Sequence, residues 1–586
     1  MNLILLLLAL STAPGSKPPP ADGLAAAPVC QDASVLVDEA DRQGGAALLP
    51  KALAATTDCI ARGGGVDGLI LRAHVQLALG RPDAAIGDLA TALQQQPFSA
   101  IARYDRGLIY FGEKKYSEAI VDFTAAIEVD PKDADSLLQR GWIYALTNRH
   151  NEAIADFSAA IAVKPGLALA YELRGLSYAA TGKTDEAIAD DSHVLALDPD
   201  NTDTYFNRGL ARDAKGQHDL AISDYSVVIS REPKDAQALY QRGRSRQATG
   251  DAKGAIADFT ASLAISPDPA VLNDRAVSYE ETGNVPAALA DYGNAIASHG
   301  GDSVPLRNRA RLLYVQKRYA EVIPDLTVLL THDPTEPHLL RMRGYAYFAT
   351  SDCARSIVDF SASLNADPNS ASAYFDRGLC YALRDQFEPA VTDMSRAITL
   401  KKDDADALAE RGYIYARMKR YDAALADISA AIAISSGNIQ YADIRASTYI
   451  EMGRYDDAVS EYGRALTLDA QSAEALNGRC WARAIANREI SGAMADCTKA
   501  VQGAPKAAAY ADSLGFVQFR AGDMTAALSN FNRALTLDPK MAGSLYMRGV
   551  VKIRLGKAAD GQADITSALV IDPTIAERYK GFGVSP

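Results

Sequence analysis

The sequence predicts an all-α chain, a superhelical solenoid of about fifteen helix-turn-helix repeats with terminal capping helices. Three observations carry that prediction. First, a small residue recurs at Ala73, Gly107, Gly141, Gly175, Gly209, Gly243, Ala276, Ala310, Gly344, Gly378, Gly412, Ala446, Cys480, Gly515 and Gly549, at a spacing of 34 broken once by 33 and once by 35. Second, large and small residues keep helical phase around it: an aromatic three positions on (Tyr110, Tyr144, Tyr178), alanine twelve on (Ala119, Ala153, Ala187), and often an aromatic sixteen on (Phe123, Phe157, Tyr225). Third, proline closes the second helix of most units, as at Pro97, Pro131, Pro165, Pro199 and Pro233, because it has no N–H to continue the ladder.

Composition fits this picture. A chain of 586 residues is too long for one core. Its 48% hydrophobic but only 7% aromatic content suits closely packed, alanine-rich helices. The formal charge of −13 argues against a general nucleic-acid binder, which needs a basic footprint, and against binding to anionic membranes.

From the N-terminus, residues 1–29 read as a signal peptide followed by a Pro/Ala-rich linker. The apolar run Leu3–Leu10 is too short to span a bilayer. The stretch before it lacks Lys and Arg, so a displaced start or a membrane tether stays open. Cleavage fits after Ala13 or after Ala27, and Val29 before Cys30 argues against lipoprotein processing. Residues 30–65 read as a degenerate capping hairpin with Gly44-Gly45 as its turn and Gly63-Gly64-Gly65 as its exit. The repeat array occupies 66–573. Each hairpin leaves an apolar face that only a neighbour covers, so 574–586, beginning TIAERYKGFG, reads as a capping helix and tail.

The period and its small, aromatic and proline positions resemble the tetratricopeptide repeat family over residues 66–573. Each unit is numbered here so that the small residue is position 8. Small residues at 8 and 20 let the two helices approach, and large ones at 11 and 24 fill the layer between hairpins. One departure is systematic. Position 7, usually leucine in that family, is arginine in every unit except at Leu514, and position 23 is acidic in every unit except at Asn530. Both exceptions fall in one unit. Positions 7 and 23 lie at similar heights on facing helices, so the sequence predicts one Arg–carboxylate pair per repeat: Arg106 with Asp122, Arg140 with Asp156, Arg208 with Asp224, and so on. An arginine ladder lining a groove for an anion is the competing reading.

Six cysteines fall into three local pairs, Cys30/Cys59, Cys353/Cys380 and Cys480/Cys497. None forms CxxC and no histidine stands at ligand spacing, so no metal is expected. The pairs are disulfide candidates in an exported protein, or buried free thiols in a reducing compartment. No nucleophile elbow, Walker loop, HExxH or dinucleotide fingerprint occurs. The repeats consume nearly the whole chain, so neither enzyme activity nor a cofactor is expected.

The resemblance implies that positions 2, 5, 9, 12 and 13 of each first helix line a concave face where peptides dock. The family's lysine/asparagine clamp for a C-terminal carboxylate is absent here. The middle of the array places Arg307, Arg311, Tyr314, Arg341, Tyr345, Phe348, Phe375 and Tyr413, with Arg417, at such positions. Arginine and aromatic side chains are the usual interface anchors, and this set suits a protein or peptide of acidic character. The plainer alternative is packing between adjacent helices, with arginine stems over rings. The expected function is a non-enzymatic protein-interaction scaffold of the bacterial cell envelope, periplasmic or secreted. The alternatives are a component binding envelope polymer or lipid, and a cytosolic or tethered adaptor.

Overall fold

The computed structural model describes residues 30–43, 48–298 and 303–586. The expected signal segment 1–29 and the Gly44-Gly45 turn lie outside them. Among the described residues there is no strand, and the 33 helices divide into two per repeat for fifteen repeats, an N-terminal pair and one short C-terminal helix. Two compact units meet in sequence at Pro305/Leu306.

One repeat shows why this sequence folds as it does. Ser99 caps the first helix (A), Ala100–Gly112, by accepting from the Ala102 N–H. Lys114 then takes a left-handed conformation, φ 60°, to turn the chain into the second helix (B), Tyr116–Val129. The same turn position is left-handed in most repeats, occupied by Asn148 in the next one and by Gly182, Gly216 and Gly250 in the three after it, where glycine adopts it without Cβ strain. The 35-residue unit places its extra residue in this turn, where Asn487 and Glu489 are both left-handed. The 33-residue unit is shortened at the B-to-A junction, where Asp268 caps Pro269–Glu281 directly.

The hairpins close on a ring set against a missing side chain. A Cβ on Gly107 would stand 2.8 Å from Phe123, and one on Gly209 2.6 Å from Tyr225. Phe123, Phe157, Tyr225 and Phe259 are all 0% exposed. In the first unit the core runs as a chain of small clusters, beginning with Cys30, Val37, Cys59 and Leu71 and followed by Leu69, Ile70, Leu89 and Ile109. In the second unit it ends in one larger cluster that spans Cys480 to Val584.

The Arg–carboxylate pairs are regular. Arg106 Nε lies 2.7 Å from Asp122 Oδ2 and its Nη2 2.8 Å from Oδ1. Arg140 grips Asp156 at 2.8 and 2.8 Å, and Arg208 grips Asp224 at 3.0 and 2.7 Å. The exceptional unit substitutes a different contact. Leu514 is buried there, and Asn530 donates to Gln518 at 2.8 Å. A third bond went unread in the sequence. The other terminal nitrogen donates to a hydroxyl on the B helix of the preceding repeat: Arg140 to Thr124, Arg174 to Ser158, Arg377 to Ser361. Arginines with this third bond tie their own hairpin to the hairpin before it; Arg106 has the carboxylate bonds alone.

Two cysteine pairs are bonded. Cys30–Cys59 joins the ends of the N-terminal pair of helices at a Cα separation of 5.0 Å. Cys480–Cys497 crosses one hairpin at 5.5 Å. The third candidate differs: Cys353 and Cys380 are free thiols. Cys380 is buried and donates to Ser356 Oγ at 3.2 Å, and burial pushes its thiol up to about 12. The thiolate that disulfide exchange requires is thus suppressed there.

Candidate functional site

The concave positions of the A helices form the candidate surface, and the residues picked from the sequence separate into three kinds. Tyr314, Tyr345 and Phe348 gather with Tyr319 into one ring cluster, with centroids 5.9 Å apart for Tyr314–Tyr345 and Tyr345–Phe348, and 5.5 Å for Tyr319–Tyr345. Tyr319 was missed because it opens a B helix, outside the concave register. Burial pushes the Tyr314 hydroxyl up to about 12, aided by the neighbouring phenols. Tyr413 is 41% exposed and accepts from Arg417 at 3.2 Å. Phe375, partly buried, packs against the cluster of Ala390, Met394 and Ile414.

The arginines are not a bare cationic stripe. Arg307 makes a two-point contact with Glu336 of the next repeat, at 3.2 and 2.9 Å. Arg417 reaches Asp385 at 3.4 Å and stands over the Phe387 ring. Arg341 bonds Ser370 at 3.4 Å and His338 at 3.3 Å. It also opposes the burial that pushes Asp376 up to about 6. Arg311 is exposed and faces the same surface. The A-helix face of these repeats is thus aromatic with mixed charge.

Two further pockets lie on concave positions. One, of about 430 Å³, is lined by Asp443, Glu451, Glu474, Asn477, Trp481 and Tyr510. Burial and the Glu474 charge raise the Asp443 carboxyl, against a hydrogen bond from Tyr462. The other, of about 500 Å³, is lined by Asp213, His218, Gln241, Arg244, Ser245 and Gln247. Asp213 is held there by His218 at 2.9 Å, by the Tyr225 hydroxyl at 3.1 Å and by Ser245 at 2.7 Å. An aspartate held this way is a fixed acceptor rather than a base oriented toward a nucleophile. Among the described residues no group of three or more His, Cys, Asp or Glu is placed to hold a metal ion.

One site in the first unit breaks the ring pattern. Positions 5 and 24 carry tilted ring pairs in several repeats, with centroids 5.8 Å apart for Tyr104–Phe123 and for Phe206–Tyr225. In the repeat just before Phe206–Tyr225 the same positions are Glu172 and Asp191, 8% and 3% exposed. Burial raises both carboxyls, Asp191 to about 8, with Asp190 and Glu172 adding repulsion.

The last repeats carry a different occupant. The short helix Ile575–Gly581 and the turn that closes it meet A-helix residues of three repeats. Tyr579 stacks on Tyr546 at 5.2 Å and meets Phe516 edge-on at 5.8 Å. Phe582 meets Trp481 edge-on at 6.1 Å, and Val584 is 0% exposed.

Comparison with known proteins follows the geometry. A family model described as tetratricopeptide repeat matches residues 70–123, 148–202, 206–270, 384–439 and 445–508, and a second with the same description matches 123–155. The helix pairs between these segments keep the same arginine pairing, as Arg309–Asp325 and Arg343–Asp359 show. A search of curated proteins gave no match. Among solved structures, the Cut9–Hcn1 hetero-tetramer of the APC/C is 14% identical over 88% of this chain and 96% of that one, TM-score 0.36. YrrB, described as a TPR protein with an unusual peptide-binding site, is 18% identical over 31% of this chain and 94% of its own, TM-score 0.30. A tetratricopeptide repeat protein from Parabacteroides merdae is 19% identical over 43% and 99%, TM-score 0.32.

Proposed function

The chain belongs to the tetratricopeptide repeat family, and we propose that it is a non-enzymatic scaffold holding a peptide or protein segment along the concave faces of its A helices. The observation that carries this reading is the ring cluster of Tyr314, Tyr345 and Phe348, with Arg311 exposed on the same A helix as Tyr314. Rigid aromatic anchors with a polar rim are the usual composition of a binding hot spot. Repeats fill the chain from 66 to 573, and the sequence contains no motif of catalytic chemistry. The arginines suit an acidic segment, which would compete with the partners that Arg307, Arg341 and Arg417 already hold. The overall charge of −13 disfavours nucleic acid as the ligand.

We place the scaffold in the bacterial cell envelope, periplasmic or secreted. The apolar run at Leu3–Leu10 supports this, as do the two disulfides, which persist in oxidising compartments. Among the described residues no helix is long and apolar enough to cross a membrane.

The test is affinity capture from envelope extract with residues 30–586, beside an Arg311→Glu/Arg341→Glu variant of equal thermal stability. A protein retained by the first and lost by the second supports the groove. Equal retention moves the site elsewhere on the array. Binding to purified peptidoglycan or lipid, with no protein retained, overturns the proposal in favour of a polymer-binding component.

A further inference from the structure

We propose that Cys353 and Cys380 form a reversible crosslinking site, reduced in this structure, which a small-molecule disulfide converts into a bond that stiffens the junction of two successive repeats. The bond is independent of whatever the concave surface holds.

The site departs from the register of the array. Cys353 opens a B helix, Cys353–Ala366, at position 17. Cys380 holds position 10 of the next A helix, Ala371–Leu383. Elsewhere these two positions meet as packing residues: Tyr116 with Ile143 in one cluster, Phe387 with Ile414 in another. The same junction replaces the usual alanine of position 20, as in Ala119 and Ala390, by Ser356. A ring, an aliphatic chain and a methyl group have given way to two thiols and a hydroxyl. Three departures therefore converge on one junction.

The two sulfurs are neighbours. Cys353 lies within hydrogen-bond reach of the Cys380 thiol. Cys380, 0% exposed, donates to Ser356 Oγ at 3.2 Å, and Ser356 donates in turn to the Gly344 carbonyl at 2.8 Å. The hydroxyl thus fixes the buried sulfur beside its partner. Cys353 is half-buried, so it is the sulfur that an oxidant from solvent reaches. The other four cysteines are already joined, which leaves this pair as the thiols able to respond.

The chemistry runs as two exchanges. The Cys353 thiolate attacks one sulfur of the small disulfide, forming a mixed disulfide and releasing one small thiolate. The Cys380 thiolate then attacks the Cys353 sulfur and expels the second. Two protons pass to solvent and two electrons to the small disulfide, which leaves as two thiols. Burial holds back the Cys380 thiolate, so the second exchange is the slower one.

The test treats the folded chain, both thiols free, with oxidised glutathione, alkylates what remains and maps the products by peptide mass. The expected product is a Cys353–Cys380 link that dithiothreitol reverses. Cys380→Ala should stop with glutathione on Cys353, and Cys353→Ala should leave Cys380 unmodified at the same exposure. Alanine stands at these positions in other repeats, as Ala346 and Ala252, so both variants keep a side chain the fold accepts. In the linked protein, hydrogen-exchange protection of Cys353–Ala366 and Ala371–Leu383 should rise at least about tenfold over the dithiol form, with distant repeats unchanged. Glutathione that stays on Cys353 in the wild type overturns the proposal. So does a bond from either cysteine to a second chain, a link that forms only in the unfolded chain, or a link that leaves protection unchanged. Absence of any reaction at both sulfurs overturns it as well.

Discussion

Replacing Arg140 by alanine isolates the bridge that recurs along the array. Arg140 makes three bonds: 2.8 and 2.8 Å to Asp156 and 3.1 Å to Thr124 of the preceding repeat. Its side chain is 17% exposed and that of Asp156 9%, so removal leaves a nearly buried carboxylate without a partner. Breaking a buried pair costs about 3–5 kcal/mol. Water reaches the guanidinium edge and screens it, which places the expected cost near the low end, about 3 kcal/mol. A repeat array does not unfold in one step, so the readout is native-state hydrogen exchange of Ala134–Leu146 and His150–Val163, with distant repeats as internal reference. At 1.4 kcal/mol per tenfold, protection there should fall roughly a hundredfold. Arg140→Leu combined with Asp156→Leu removes both charges and should return protection to within about 1 kcal/mol of the wild type. Strict additivity of the two single changes, or a single change that moves exchange less than about threefold, would refute the bridge as a stabilising element.

Three other outcomes follow from the same packing. Thiol titration of the unfolded, unreduced protein should give two reactive groups, Cys353 and Cys380; six would remove both disulfides. Gly209→Ala should destabilise its hairpin by about 1–3 kcal/mol, because the new Cβ falls 2.6 Å from the buried Tyr225 ring. Gly344→Ala, where the ring is 3.1 Å away, should lie near neutral once the gain in helix propensity of about 1 kcal/mol is included; thermal or urea unfolding compares them. The last concerns Asp191, whose carboxyl is pushed up to about 8 by burial and then by Asp190 and Glu172, against about 3.9 unfolded. The folded chain therefore keeps a proton that the unfolded chain releases. Its contribution is fully present below about pH 4 and is lost as pH rises toward 8. Exchange protection in Ala168–Leu197 should fall across that window, and Asp191→Asn should flatten the slope.

The legible part of the site was the part that repeats. Tyr314, Tyr345 and Phe348 could be named because the register assigns each a concave position. Tyr319 joins the same ring cluster from a B helix, and no register flags it. Phe375 shares the register but packs against Ala390, Met394 and Ile414, outside that ring cluster.

By itself the sequence determined the architecture: the period, the glycine-over-ring packing and the arginine–carboxylate pairing, with Leu514 and Asn530 changing together in one unit. Each of these lies within a hairpin, so a fixed offset along the chain is a fixed geometry in space and the repetition makes it readable. The tertiary structure alone decided what stacking brings together across hairpins. It gave Arg307 to Glu336 and Arg140 its third bond to Thr124, and it left Cys353 and Cys380 unjoined. It also laid the C-terminal residues against Arg520, 62 residues earlier in the chain at its bond to Phe582. These contacts depend on where whole helices stand relative to one another, and no periodic offset encodes that.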